Sequence, residues 1–168
     1  MKPFVYLIAG MGLLSDALVA QEAPLTFGTR LRVYAENLQE ERIINVYLPD
    51  EYTDSDTAAF PVIFVLDGGR DEDLPTVIGA TYFHSRPWVD RIPPSIIVGI
   101  EGNRRRRDFT FAVSDTAFLA EEGFPASSFP QYGGSQAFLN FLADELQPLI
   151  ASRFRTNGHR TVVGESLA

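Results

Sequence analysis

Gly164-Glu165-Ser166-Leu167-Ala168 places a hydroxyl between small residues, directly after the short apolar run Thr161-Val162-Val163. A serine hydroxyl is a poor nucleophile at neutral pH unless a base takes its proton. A sharp turn from a parallel strand into the next helix lifts such a serine above the sheet edge, and small neighbours keep the turn from colliding with itself. In this reading Gly164 is the first small position, Ser166 is the nucleophile, and the Leu167 amide is a donor to an oxyanion. Ala168 replaces the second glycine of the usual G-x-S-x-G pattern, a departure of one methyl group. The alternative is an ordinary serine in a surface turn.

A base for this serine is harder to find. Of the two histidines in the sequence, His159 precedes the strand that ends near Ser166. Seven residues of largely extended chain separate the two by roughly 20 Å, beyond hydrogen-bond reach, so His159 is expected to be a solvent-facing loop residue. His84, among Tyr82, Phe83 and Trp88, is expected at the surface or in crossover packing. Asp67, Asp71, Glu72 and Asp73 form a carboxylate-rich loop with neither histidine-carboxylate spacing nor a calcium-loop pattern. It reads as a solvated acidic loop, with no metal and no cofactor expected. Glu165 is expected to point away from Ser166 and act through local electrostatics.

Arg104, Arg105, Arg106 and Arg107 are the concentrated positive feature of an otherwise acidic chain. Arg107 is expected to pair with Asp108 and brace its loop; a neighbouring arginine greeting an anionic substrate is the alternative. Phe109, Phe111, Phe118, Phe124 and Phe129 read equally as the lining of an acyl or aryl pocket and as core and loop anchors.

The elements that must position these groups follow from hydrophobic patterning. Residues 29–35 alternate, with Leu31, Val33 and Ala35 on one face, and residues 42–48 resume an extended pattern that Pro49 stops. Together they predict an antiparallel hairpin. Residues 61–66 and 95–100 are continuous apolar runs ending in Asp67-Gly68-Gly69 and Glu101-Gly102-Asn103, as expected of central strands covered on both faces. Residues 74–88 suit a crossover helix, and residues 104–134 a long irregular excursion. Ser135 is expected to cap a helix in which Phe138, Leu139, Leu142, Leu146, Leu149 and Ile150 recur at helical spacing. Pro148 should kink it or begin a second segment, and Asn157-Gly158 should turn the chain into the last strand.

With 168 residues, 45% of them hydrophobic and 21% charged, the chain can build one core and is not a disordered tail. A net charge of −8 disfavours nucleic-acid and anionic-membrane partners. The absence of cysteine excludes thiol catalysis, structural disulfides, cysteine-ligated zinc and a lipoprotein anchor. Residues 1–20 read as a cleaved secretory signal: Lys2 supplies the basic start, residues 4–14 the apolar stretch, and Ala17-Leu18-Val19-Ala20 the small residues at the cleavage site. A retained membrane-proximal helix is the alternative. Residues 21–168 then form one domain, exported and without stable membrane insertion after cleavage.

Several short pieces, in this order and spacing, carry a family resemblance: Asn45-Val46-Tyr47-Leu48-Pro49, Pro61-Val62-Ile63-Phe64-Val65-Leu66-Asp67-Gly68, Arg107-Asp108-Phe109-Thr110, Gly133-Gly134-Ser135, Phe141-Leu142, Glu145-Leu146 with Pro148, Arg155-Thr156, and the terminal pentapeptide. Over roughly residues 26–168 the chain resembles the N-terminal portion of esterase D and enterochelin-esterase-like proteins, a branch of the α/β-hydrolases. The resemblance implies an α/β fold, a truncated α/β-hydrolase whose N-terminal antiparallel hairpin leads into a mainly parallel sheet with flanking helices. It also implies carboxylic ester hydrolysis through an acyl-serine on Ser166, acting on a small-molecule ester. Leu167 would give one oxyanion donor, and the loop after the earlier central strand would give the second at Gly68 or Gly69. The alternative for Asp67-Gly68-Gly69 is a simple turn.

In α/β-hydrolases the serine is followed by the acid and then the histidine, and neither lies between Ser166 and Ala168. The expectation is therefore an inactive fragment of a serine esterase, of marginal stability because its last strand lacks a neighbour. A non-catalytic α/β-hydrolase-like binding or interaction protein is the alternative.

Overall fold

The computed structural model of the chain describes residues 21–23, 25–128 and 131–168. The expected signal segment 1–20 and Phe129 lie outside the described residues. Strands β1 (Thr29–Ala35) and β2 (Glu40–Tyr47) form the expected antiparallel hairpin, registered from Thr29↔Val46 to Ala35↔Glu40. β2 starts two residues ahead of the hydrophobic signal because pairing continues into the tight turn. That turn is tied to the helical layer by the Glu145 carboxylate, which accepts from the Glu36 and Asn37 amides at 2.9 and 2.7 Å.

The two continuous apolar runs become β3 (Phe60–Leu66) and β4 (Ile96–Glu101), which pair in parallel. The last strand, β5 (Thr156–Val163), joins β3, also in parallel. The five strands lie in the order β1-β2-β4-β3-β5, with β2 and β4 antiparallel. This is a mixed sheet whose hairpin edge leads into a parallel half. Among the described residues β5 pairs only with β3.

Both faces of the central strands are covered, which is why their sequences do not alternate. On one face Ile44, Val46, Val62, Phe64, Ile96 and Val98 pack with Phe138, Phe141, Leu146 and Ile150. On the other, Val65 and Ile97 meet Leu74 and Ile78 of helix α1 (Leu74–His84). The α1 helix stops four residues short of the expected crossover. Pro87 disfavours helical geometry at the residue before it, so the helix cannot run on through Arg86.

Residues 104–134 are mainly irregular, as expected, but include two short helices, α2 (Arg105–Asp108) and α3 (Ala117–Glu121), and a 3-10 turn at Ala126–Ser128. The following helical layer comprises α4 (Ser135–Asn140), a π-helical stretch (Phe141–Leu146) and α5 (Gln147–Arg153). Ser135 does not cap it. Gly134 occupies the cap position without a side-chain bond, and Ser135 is the buried first residue of the helix. The break expected at Pro148 takes the form of the π stretch. Proline has no N–H for the carbonyl one turn back and its ring crowds that carbonyl, so the widened turn just before it relieves the conflict.

Asn157-Gly158 is not a turn outside the strand but part of β5. Gly158 adopts φ +88° there, and the pairing with β3 shifts register between Phe60 and Val62, as a bulge requires. Arg155 fastens this end of the sheet, its Nε and Nη2 donating to the carbonyls of Ala58 and Thr53 at 3.0 and 2.7 Å. No helix of the described residues is long and apolar enough to cross a membrane.

One close approach fixes where β3 delivers the chain. A Cβ built on Gly68 would stand 2.2 Å from the Gly99 Cα, and one on Gly99 would stand 2.2 Å from the Gly68 carbonyl oxygen. Both atoms met are main chain, so neither can swing aside. Gly99→Ala is therefore expected to lower stability by at least about 1–3 kcal/mol, the usual cost of overpacking. Urea unfolding checks this, and an unchanged midpoint would contradict it.

Candidate active site

Parallel pairing of β3 and β5 brings two loops to one edge of the sheet. Val65 pairs with Val163, and Gly68 and Ser166 each follow that pair by three residues. In α/β sheets this carboxyl edge is where ligands bind. Ser166 is exposed and adopts φ +59°. A non-glycine residue held in the left-handed region costs about 1–3 kcal/mol, and such conformations concentrate where a side chain must be displayed. Gly164 has no room for a side chain, because a Cβ there would lie 2.7 Å from the Ala168 carbonyl carbon. The Ala168 amide donates to the Glu165 carbonyl at 3.1 Å and closes the turn, while the alanine packs against the main core. Among the described residues the Leu167 amide has no acceptor.

The loop after β3 is equally constrained. Asp67 is buried and adopts φ +56°. The Gly68 amide donates to the Ile100 carbonyl at 2.8 Å, and the Gly68 carbonyl accepts from Asn45 Nδ2 at 3.0 Å. The Gly69 amide donates to Glu72 Oε2 at 2.6 Å. The Gly68 amide is thus committed to main chain, whereas the Gly69 amide binds the oxygen of a movable side chain. Glu72 and Asp67 are not simply solvated, as the sequence suggested. One binds an amide, and the other an arginine.

The arginine cluster resolves into distinct partnerships. Arg107 pairs with Asp108 at 2.7 Å, as expected, and also grips Glu40 with two bonds of 2.9 and 2.7 Å. Asp108 is 1% exposed and accepts from Arg42 Nη2 at 2.6 Å and from the Arg104 amide at 3.0 Å. Arg42, 2% exposed, also reaches Glu40 at 2.9 Å, while its Nε has no partner among the described residues. Arg105 reaches the site itself: Nη1 lies 2.5 Å from Asp67 Oδ2 and Nη2 donates to the Glu165 carbonyl at 2.9 Å. Arg106 donates to the Ser128 carbonyl.

Sequence reasoning missed Glu40 and Arg42. The signal for Arg42 was present, since it shares strand parity with the buried Ile44 and Val46. Glu40 lies on the same face of the strand but ahead of its apolar residues, where a charge reads as part of the turn.

The remaining candidates are not assembled with Ser166. His84 is exposed at the end of α1, its ring edge-on to Phe83, and its carbonyl accepts from the Arg91 amide. His159 is exposed, as expected, but within β5 and not in a loop; its amide donates to Asn157 Oδ1 at 3.0 Å. Phe109 is a core anchor, edge-on to Phe138 at 5.3 Å, whereas Phe111, Phe118 and Phe124 are exposed. A cavity of about 550 Å³ opens between residues 25–30, β2 and α1, and includes none of Gly68, Gly69, Ser166 and Leu167. Among the described residues no group of three or more metal-ligating side chains is assembled.

A family model described as "Putative esterase" matches residues 35–168. A ferri-bacillibactin esterase of Bacillus subtilis is 27% identical over 149 residues, covering 83% of this chain and 50% of its own length. Among solved structures, an IroE-like serine hydrolase from Shewanella oneidensis is similar with a TM-score of 0.73 and 32% identity, over 84% of this chain and 43% of that one. The BES protein from Bacillus cereus gives a TM-score of 0.69 and 27% identity, over 90% and 58%. The chain thus spans about half the length of the relatives it matches.

The Glu40 carboxyl is held below its ordinary value of 4.5, first by the hydrogen bond from Arg107 and then by the charges of Arg42, Arg107 and Arg104, against an opposing effect of burial. A carboxylate depressed in the folded state adds stability above its unfolded value, and the gain is lost as pH falls through the folded value. Glu40→Gln is accordingly expected to lower stability at pH 7, with the gap from the parent closing as pH drops below the usual carboxylate range. Denaturation midpoints at pH 7 and at several acid values check this. A gap independent of pH would contradict it.

Proposed function

The chain belongs to the esterase family, and we propose that its protein hydrolyses small-molecule carboxylic esters through an acyl-serine on Ser166. The observation that carries this reading is the left-handed Ser166, displayed at the carboxyl edge of the sheet beside a second constrained loop. In the first step Ser166 Oγ attacks the ester carbonyl and its proton passes to an imidazole, leaving a tetrahedral oxyanion. Collapse expels the alcohol, which takes the proton from the imidazole. Water then adds to the acyl-serine with the same base, releasing the acid and restoring the hydroxyl.

Two amides supply the oxyanion donors in this proposal. One is Leu167, without an acceptor among the described residues. The other is Gly69, whose amide binds the Glu72 carboxylate. An anionic oxygen on that amide supports the assignment, because the developing oxyanion would take its place as Glu72 turns away. The acid and histidine follow the serine in this fold and are expected from residues outside 1–168 of the whole protein. Ferri-bacillibactin is the substrate to assay first, on the strength of the Bacillus subtilis relative's description as a ferri-bacillibactin esterase.

In the full-length protein, Ser166→Ala is expected to abolish labelling by a fluorophosphonate and to lower ester turnover by about a thousandfold or more. Retention of labelling or turnover would overturn the assignment. Residues 1–20 are read as a secretory signal, so N-terminal sequencing of the exported protein should begin at Gln21. A mature product that still begins at Met1 would refute that reading.

A further inference from the structure

We propose that Arg105 is a positioning residue for the ester reaction, locking the loop that carries one oxyanion donor to the turn that carries the serine. The inference rests on the assignment of Ser166 and Gly69 above. Its basis is one guanidinium with two acceptors on two segments: Asp67 Oδ2 at 2.5 Å, after β3, and the Glu165 carbonyl at 2.9 Å, after β5. Among the described residues no other side chain hydrogen-bonds to both segments.

Each acceptor sits where movement would matter. Asp67 immediately precedes Gly68-Gly69 and is buried with φ +56°. Glu165 immediately precedes Ser166 at φ +59°. Both left-handed residues need surroundings that hold them, since either would relax if released. Displacement of catalytic groups by an ångström costs about a hundredfold in rate.

Only arginine suits this task. Its planar fork directs two N–H groups along fixed vectors, whereas the single ammonium of lysine cannot span both acceptors with the same geometry. The backbone of Arg105 is itself held, because it opens the α2 turn closed by Asp108 and flanked by the Arg107 and Glu40 pair. These two donors, engaged by protein oxygens on the two loops, make the guanidinium a clamp between them.

The test uses the full-length protein and p-nitrophenyl acetate, a neutral ester on which attraction to an anion has no bearing. Arg105→Gln and Arg105→Lys are both expected to lower kcat by about 10- to 100-fold with KM unchanged. Fluorophosphonate should still titrate the same number of sites per folded chain, at a slower rate, which separates mispositioning from loss of folded protein. Added methylguanidinium should restore part of the rate to Arg105→Ala. If either variant folds poorly, this rescue and the site titration still give the answer.

Unchanged kcat in both variants, with Ser166→Ala inactive, would overturn the proposal while leaving the serine assignment intact. A rise in KM alone would overturn it as well, by making Arg105 a substrate contact. Full activity in Ser166→Ala would remove the assignment on which it rests, and the proposal with it.

Discussion

A carboxylate sealed from water is the constraint on which the site's geometry depends. Asp108 is 1% exposed and would be untenable there as an unpaired charge. It is held by three donors: Arg42 from β2, the Arg107 side chain and the Arg104 amide. Removing one partner from such a buried set typically costs about 3–5 kcal/mol, because the other charge is left stranded. The ion cluster therefore ties the start of the long excursion to the sheet at one geometry. From that anchored turn Arg105 extends to the two loops at the carboxyl edge.

The sheet supplies the rest of the placement. Parallel neighbours β3 and β5 deliver their ends to one side, and the mutual contact of Gly68 and Gly99 sets how closely the β3 loop hugs β4. Asn45 then holds the Gly68 carbonyl, and Glu101 and Arg30 brace Asn45 in turn. The same economy governs the elbow, where Gly164 and Ala168 approach too closely for any larger residue at 164. The strain at Asp67 and Ser166 is thus carried by packing, hydrogen bonds and ion pairs that lie outside the reacting groups. The exposed Ser166 and the Gly69 amide that binds the Glu72 carboxylate sit on these two constrained loops, and the proposed acyl transfer calls for donors already in place.

Much of this was legible in the sequence where local pattern and global fold agree. The two continuous apolar runs, the alternating hairpin and the helical spacing of Phe138, Leu142, Leu146 and Ile150 each reported burial directly, and the strands and helical layer formed there. What was illegible depended on contacts between distant residues. Nothing local distinguishes Arg105 from Arg104 or Arg106; its role comes from partners 38 and 60 residues away. Asn157-Gly158 carries a turn signature, but pairing with β3 absorbs it as a bulge. Ser135 has the chemistry of a cap, yet burial places it one residue inside the helix. Arg42 was the readable exception, a charge at core parity that only a buried partner could explain.

In the proposed reaction Ser166, Leu167 and Gly69 converge on one reacting carbonyl. A crystal structure of the full-length protein carrying a phosphonate adduct tests it most directly. The phosphorus should be bonded to Ser166 Oγ, with a phosphonyl oxygen about 2.7–3.1 Å from the Leu167 and Gly69 amides and the Glu72 carboxylate displaced from Gly69. An adduct on another residue, or a phosphonyl oxygen turned to solvent while Glu72 keeps its bond to Gly69, would contradict it.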